Sequence, residues 1–107
     1  MSIRVEPATI ADQLADRPYA FVLTTSDDRV HVVSLRPRVS ADTVVFGPVG
    51  RSTTTDVERN PQVSVVWPGG AGPGEHAAYS LIADGRGEIR AGELVVVIDR
   101  AVLHRPA

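Results

Sequence analysis

Cysteine is absent from this 107-residue chain. That excludes disulfides, a thiol nucleophile and a thiolate metal site. Lysine is absent as well, since all eleven positive residues are arginines. The chain therefore has neither a Schiff-base lysine nor the lysine of a Walker-type phosphate loop. No basic block occurs, and the net charge is -2. Nucleic acid and anionic membrane surfaces are not expected partners. No apolar run approaches the ~20 residues of a membrane span. The opening "MSIRVEPATIADQL" lacks the apolar core of a signal peptide, so cytoplasm is the expected compartment.

Familiar catalytic signatures are missing too. There is no serine elbow and no G-x-G-x-x-G fingerprint. His31, His76 and His104 are widely spaced, with no pair at i, i+4, and no metal site is expected. What remains is an ordinary globular composition, 43% hydrophobic and 22% charged. The length fits one domain over residues 1–107. A domain this small buries only roughly 60–70% of its unfolded surface, so association with a second copy would help it.

Short Val-, Ile- and Thr-rich runs separated by turn signals predict a mainly β domain with small helices. "PATIADQLAD" (7–16) reads as a first helix, with Thr9 or Asp12 as its cap, Ile10 and Leu14 on one face, and Arg17-Pro18 ending it. Six strands are expected: 19–25, 30–39, 43–49, 62–68, 77–89 and 93–104. "SDDR", "SAD" and "AG" are turns, and "GGAGPGEH" is a flexible loop. Pro37 within the second strand demands an edge, a bulge or a bend. Glycines in "DGRGEI" allow the fifth strand to bend. Six strands of this kind coil into a barrel.

"GRSTTTDVERNP" (50–61) reads as a short helix stopped by Asn60-Pro61. Thr53 with Asp56, and Thr55 with Glu58, fit the capping-box spacing, in which a hydroxyl satisfies free backbone N–H groups. The same start can instead hold an anion. Free N–H groups and the helix dipole favour negative charge there, Arg51 adds a planar cation, and Ser52 and Thr53 add hydroxyls.

In "HVVSLRPR", strand alternation puts His31, Val33, Leu35 and Pro37 on one face and Val32, Ser34, Arg36 and Arg38 on the other. The polar face is either a solvated exterior or a surface that turns Ser34 and Arg36 toward an anionic ligand. A lone His31 is more often structural than catalytic. Trp67 is either a core residue or a stacking wall for an aromatic ligand, and Tyr79 and Ser80 pose the same choice.

Taken in order, these segments resemble the pyridoxamine phosphate oxidase-like family, the FMN-binding split barrels. The markers are Phe46-Gly47, then Gly50-Arg51-Ser52, a short helix ending Val57-Glu58-Arg59-Asn60-Pro61, a valine-rich strand, and "DGRGEI". The likeness spans most of the chain. It implies a six-stranded, Greek-key split β-barrel with an N-terminal helix and one short inserted helix. It also implies a homodimer with FMN, or a related deazaflavin, in a groove at the subunit interface. By position, Arg36, Arg51, Ser52 and Thr53 would serve the phosphate. His31, Val32, Val33 and Ser34 would run along the ring system, Phe46 and Gly47 would close the third-strand side, and Ser80 would reach in from the other subunit. Many members carry lysine where this chain has Thr53, so Arg51 or Arg36 would supply that charge. Full pyridoxamine phosphate oxidases continue beyond the sixth strand, so a different small substrate is expected. The implied activity is hydride or electron transfer by the flavin. The alternatives are a deazaflavin-dependent reductase, whose acidic tail would need Arg36, Arg38 and Arg51, and a non-catalytic flavin- or haem-binding barrel.

Overall fold

The computed structural model describes residues 2–15 and 17–106. Its elements in chain order are β1 (Ser2–Val5), a 3₁₀ helix (Pro7–Gln13), β2 (Ala20–Ser26), β3 (Arg29–Leu35), β4 (Pro37–Ser40) and β5 (Thr43–Pro48). Then follow α1 (Arg51–Arg59), β6 (Gln62–Trp67), β7 (Ser80–Arg90) and β8 (Glu93–His104). All eight strands form one sheet in the order β3-β2-β6-β7-β8-β5-β4, and β1 pairs with the far half of β8. Every pairing is antiparallel. The barrel expectation holds in that the sheet is curled, but the described residues form eight strands rather than six. Two local effects account for the difference. "SIRV" is only four residues long and becomes a strand by pairing with 101–104, a partner its own composition cannot reveal. The expected strand 30–39 breaks at Arg36, because Pro37 lacks the N–H that a continuing ladder needs.

That break curls the sheet. β3 and β4 are its two end strands, yet only Arg36 separates them in sequence. The chain leaves one edge and becomes the other, so the ends of the sheet must approach each other. Alternate residues of β2, β5, β6, β7 and β8 fill the interior, with Phe46, Trp67, Val22, Val65, Leu81, Leu94 and Val96 fully buried. Trp67 is thus a core residue and not a wall for a ligand. Its indole N–H finds no partner among the described residues. Tyr79 packs partly buried against the same core.

The first helix differs from expectation in form and capping. It is a 3₁₀ helix begun by Glu6 with no side-chain cap, while the Thr9 hydroxyl donates to the Glu6 carbonyl. Ile10 is fully buried, and Leu14, the residue that closes this 3₁₀ helix, packs partly buried against the core. The expected last residue of that helix, Asp16, lies outside the described residues, as does Ala107 of the tail. Arg17 does more than end the helix. Its buried guanidinium donates to the carbonyls of Gln13 (2.6 Å), His76 (3.0 Å) and Tyr79 (2.7 Å). It pins the end of the glycine-rich loop to the 3₁₀ segment, a tie between residues some sixty positions apart.

Three two-residue turns join neighbouring strands, and each places a non-glycine residue in the left-handed region: Asp27 (φ 54°), Ala41 (φ 53°) and Ala91 (φ 50°). Aspartate tolerates this conformation, whereas alanine is strained by about 1 kcal/mol. Ala91-Gly92 has both residues at positive φ, the geometry for which Asn-Gly is the favoured pair. Ala91→Asn is therefore expected to raise stability by about 0.5–1 kcal/mol, read as a higher midpoint in urea unfolding.

Candidate functional site

Helix α1 begins where β5 ends. The β5–β8 register slips between Phe46 and Pro48, and the chain turns there toward the helix. Gly50 is the N-cap, in extended conformation, and no side chain among the described residues caps the helix. The two capping boxes read from the sequence do not form, because the helix starts at Arg51, ahead of either threonine. Thr54 instead donates its hydroxyl back to the Gly50 carbonyl. The first-turn N–H groups of α1 thus have no hydroxyl or carboxylate cap. At the other end Asn60 closes the helix as expected, donating its N–H to the Asp56 carbonyl and its side-chain amide to Thr25.

A cleft of about 250 Å³ lies at that helix start. Val33 and Leu35 of β3 form one wall, Pro48, Val49 and Gly50 the other, and Arg51, Ser52 and Thr53 its polar end. Thr53 is buried, while Arg51 and Ser52 are exposed. Arg51 makes no ion pair or side-chain hydrogen bond among the described residues. The donor set at this end is cationic and hydroxylic, without a carboxylate, and the walls are apolar. Such a site fits an anion joined to a flat apolar group.

A second hollow of about 290 Å³ is lined by Tyr19, Ser34, Leu35 and Arg36. Leu35 borders both. Arg36, like Arg51, has no ion-pair partner among the described residues, whereas Arg38 is tied to Glu93 at 3.2 Å. The structure therefore gathers Val33, Arg51, Ser52 and Thr53 into one cleft and Ser34 and Arg36 into its neighbour. Val32 points outward and is 55% exposed. Phe46 is wholly within the core, and Gly47 is half-buried beside the Pro48 wall. Ser80 starts β7 opposite His104 and lines neither hollow.

His31, two residues before Val33 on the same face of β3, does not line the cleft and instead meets α1. Its Nδ1 lies 2.5 Å from an oxygen of Asp56, and the Thr24 hydroxyl donates to the same oxygen at 2.9 Å. Asp56 is 2% exposed. Burial pushes its carboxyl up, but hydrogen bonds from Thr24 and His31 and the charge of His31 outweigh that and hold it below its ordinary value. Sequence reasoning gave Asp56 to a cap and missed this cluster. A signal was present: Thr53, Asp56 and Val57 fall at i, i+3, i+4, which places a carboxylate on the buried helix face. Among the described residues no group of three or more His, Asp or Glu is placed to hold a metal. No helix there is long and apolar enough to cross a membrane.

No family model and no curated protein matches the sequence. Solved structures do match the fold. An FAD-binding protein from Mycobacterium smegmatis superposes with a TM-score of 0.71 at 17% identity, over 98% of this chain and 100% of that one. A Listeria innocua protein assigned as a pyridoxamine 5'-phosphate oxidase gives 0.62 at 18% identity, over 88% and 92%. An F420 reductase gives 0.60 at 14% identity, over 83% and 91%. At such identities the likeness is one of architecture. The chain has the split-barrel fold, mainly β with two short helices.

Proposed function

We propose that the chain is a flavin-dependent oxidoreductase that holds FMN in the cleft at the start of α1 and works as a homodimer. The observation that carries this is the uncapped first turn of α1, with unpaired Arg51 and the Ser52 and Thr53 hydroxyls, opening onto the apolar walls of Val33, Leu35 and Val49. The phosphate would lie against that turn, and the ring system would run along β3. FMN would supply the hydride or electron chemistry, while the chain binds, orients and excludes water. The fold's presence in an FAD-binding protein and an F420 reductase supports the assignment. The cleft is open and small for a whole flavin, and a second copy would close it. Tyr19, Val30 and Val32 leave an exposed apolar patch on the outer side for that contact, and Ser80 is then the residue offered across the interface.

Absorbance after incubation with FMN and desalting tests the reading: retained flavin bands are expected. A colourless protein that retains deazaflavin instead would favour the second reading, for which Arg36 and Arg51 remain available to an acidic tail while Arg38 is already paired. A protein that retains neither would be a non-catalytic barrel.

Gly50→Asp separates capping from anion binding. Gly50 has φ -73° and ψ 173°, open to any residue, and a Cβ there meets nothing within 4 Å. The new carboxylate caps the first turn and is expected to stabilise the empty protein by about 1 kcal/mol. It also occupies the donors an anion needs, so FMN affinity should fall at least tenfold by fluorescence titration, a loss of about 1.4 kcal/mol.

A further inference from the structure

Asp56 is a carboxylate removed from water on the sheet-facing side of α1, where it ties the helix to β2 and β3. Burying such a charge is costly even when it is hydrogen-bonded, and an apolar residue of similar size would often serve stability as well. What Asp56 does is orient a ring. As a carboxylate it can only accept, so the His31 nitrogen facing it must carry a proton. The other nitrogen, Nε2, makes no hydrogen bond among the described residues, and the His31 side chain is 37% exposed. Along β3, His31 stands two residues from Val33 on the same face, about 7 Å away. Along α1, Asp56 stands one turn beyond Thr53. Val33 and Thr53 both line the cleft. The pair does not itself line the cleft but lies next to two residues that do, and it leaves one ring nitrogen without a partner among the described residues.

We infer that His31 is the proton donor of the cleft and that Asp56 is its positioning residue. The inference rests on the reading of the cleft as a flavin site. Its substrate would be an unsaturated acceptor, a carbonyl, imine or quinone, which takes a hydride at one atom and a proton at another. Reduced flavin held there would supply the hydride, which carries both electrons. The imidazolium of His31 gives its Nε2 proton to the acceptor atom and becomes neutral imidazole. Asp56 keeps the Nδ1 proton in place, so the proton released is the one on Nε2. Solvent restores it through the exposed edge of the ring.

The test has two parts. Long-range proton–nitrogen spectra of the ¹⁵N-labelled empty protein report the tautomer, and only three histidines need assignment. Neutral His31 is expected to carry its proton on Nδ1. A proton on Nε2 instead overturns the inference, and this reading needs no variant. Asp56→Asn is expected to move the proton to Nε2, and an unchanged tautomer removes the positioning role. The second part uses FMN-loaded, photoreduced protein mixed with menadione, which takes protons with its electrons, or with ferricyanide, which takes electrons only. His31→Gln is expected to lower the ratio of the menadione rate to the ferricyanide rate about 100-fold. An unchanged ratio in loaded protein overturns this inference alone. Wild-type protein that retains no FMN overturns the cofactor reading and this inference with it.

Discussion

Gly85→Ala is expected to destabilise the protein by about 3 kcal/mol or more. Gly85 sits where the β7–β8 register shifts, with Asp84 opposite Arg100 and Gly85 opposite Ile98. Asp99 is left over as a bulge, and the two long strands bend there. A Cβ at position 85 would be driven into the Val97 carbonyl oxygen, 2.9 Å from its carbon and 3.0 Å from the Ile98 Cα. Those atoms are backbone in the middle of a ladder and cannot swing aside as a side chain could. The strands must separate locally or the bulge must move. Gly47→Ala is the control, because a Cβ there meets nothing within 4 Å. Urea unfolding of the two variants should differ by most of that 3 kcal/mol. Near-equal midpoints would show that the bend at 84–85 does not depend on the missing side chain.

Asp56→Ala is expected to cost about 2–4 kcal/mol at neutral pH, because it leaves the buried Thr24 hydroxyl and the half-buried His31 without their acceptor. The loss should shrink in acid. The folded-state carboxyl lies below its ordinary 3.8, so the unfolded chain takes up a proton first as pH falls. The stabilisation by ionised Asp56 is therefore complete above about pH 4–5 and fades as pH drops through the folded-state value. Wild type and variant should converge toward the acid end, and the wild type should show the steeper fall below pH 4. Midpoints that stay equally separated from pH 7 to pH 3 would mean that the ionised form carries no special role.

Much of this was open to reading in the chain itself. Strand 93–104 is where "ELVVVIDRAVLH" puts it, and β6 stops before Pro68 as its sequence requires. The short helix after Gly50 ends at Asn60-Pro61, and two of the three turns lie on Asp-containing pairs. Local chemistry decides such features: alternation, a missing proline N–H, a residue that tolerates positive φ. The same local rules went wrong at Thr53 and Thr55. Capping-box spacing states which groups could bond, not where the helix begins, and its start is set by the turn out of β5 at Gly50.

Other features belonged to the tertiary structure alone. "SIRV" is a strand because 101–104 lies alongside it. Trp67 faces inward because the sheet curls around it, and Arg17 reaches carbonyls on a loop some sixty residues away. The meeting of His31, Thr24 and Asp56 joins β3, β2 and α1 across 25 and 32 positions. The composition and order of segments determined a curled β domain with a donor-rich helix start and neither lysine nor thiol chemistry. Which side chains meet at that start was decided only when Arg36 and Pro37 carried the chain from one sheet edge to the other, because long-range contacts depend on strand order and curvature, which no local pattern encodes.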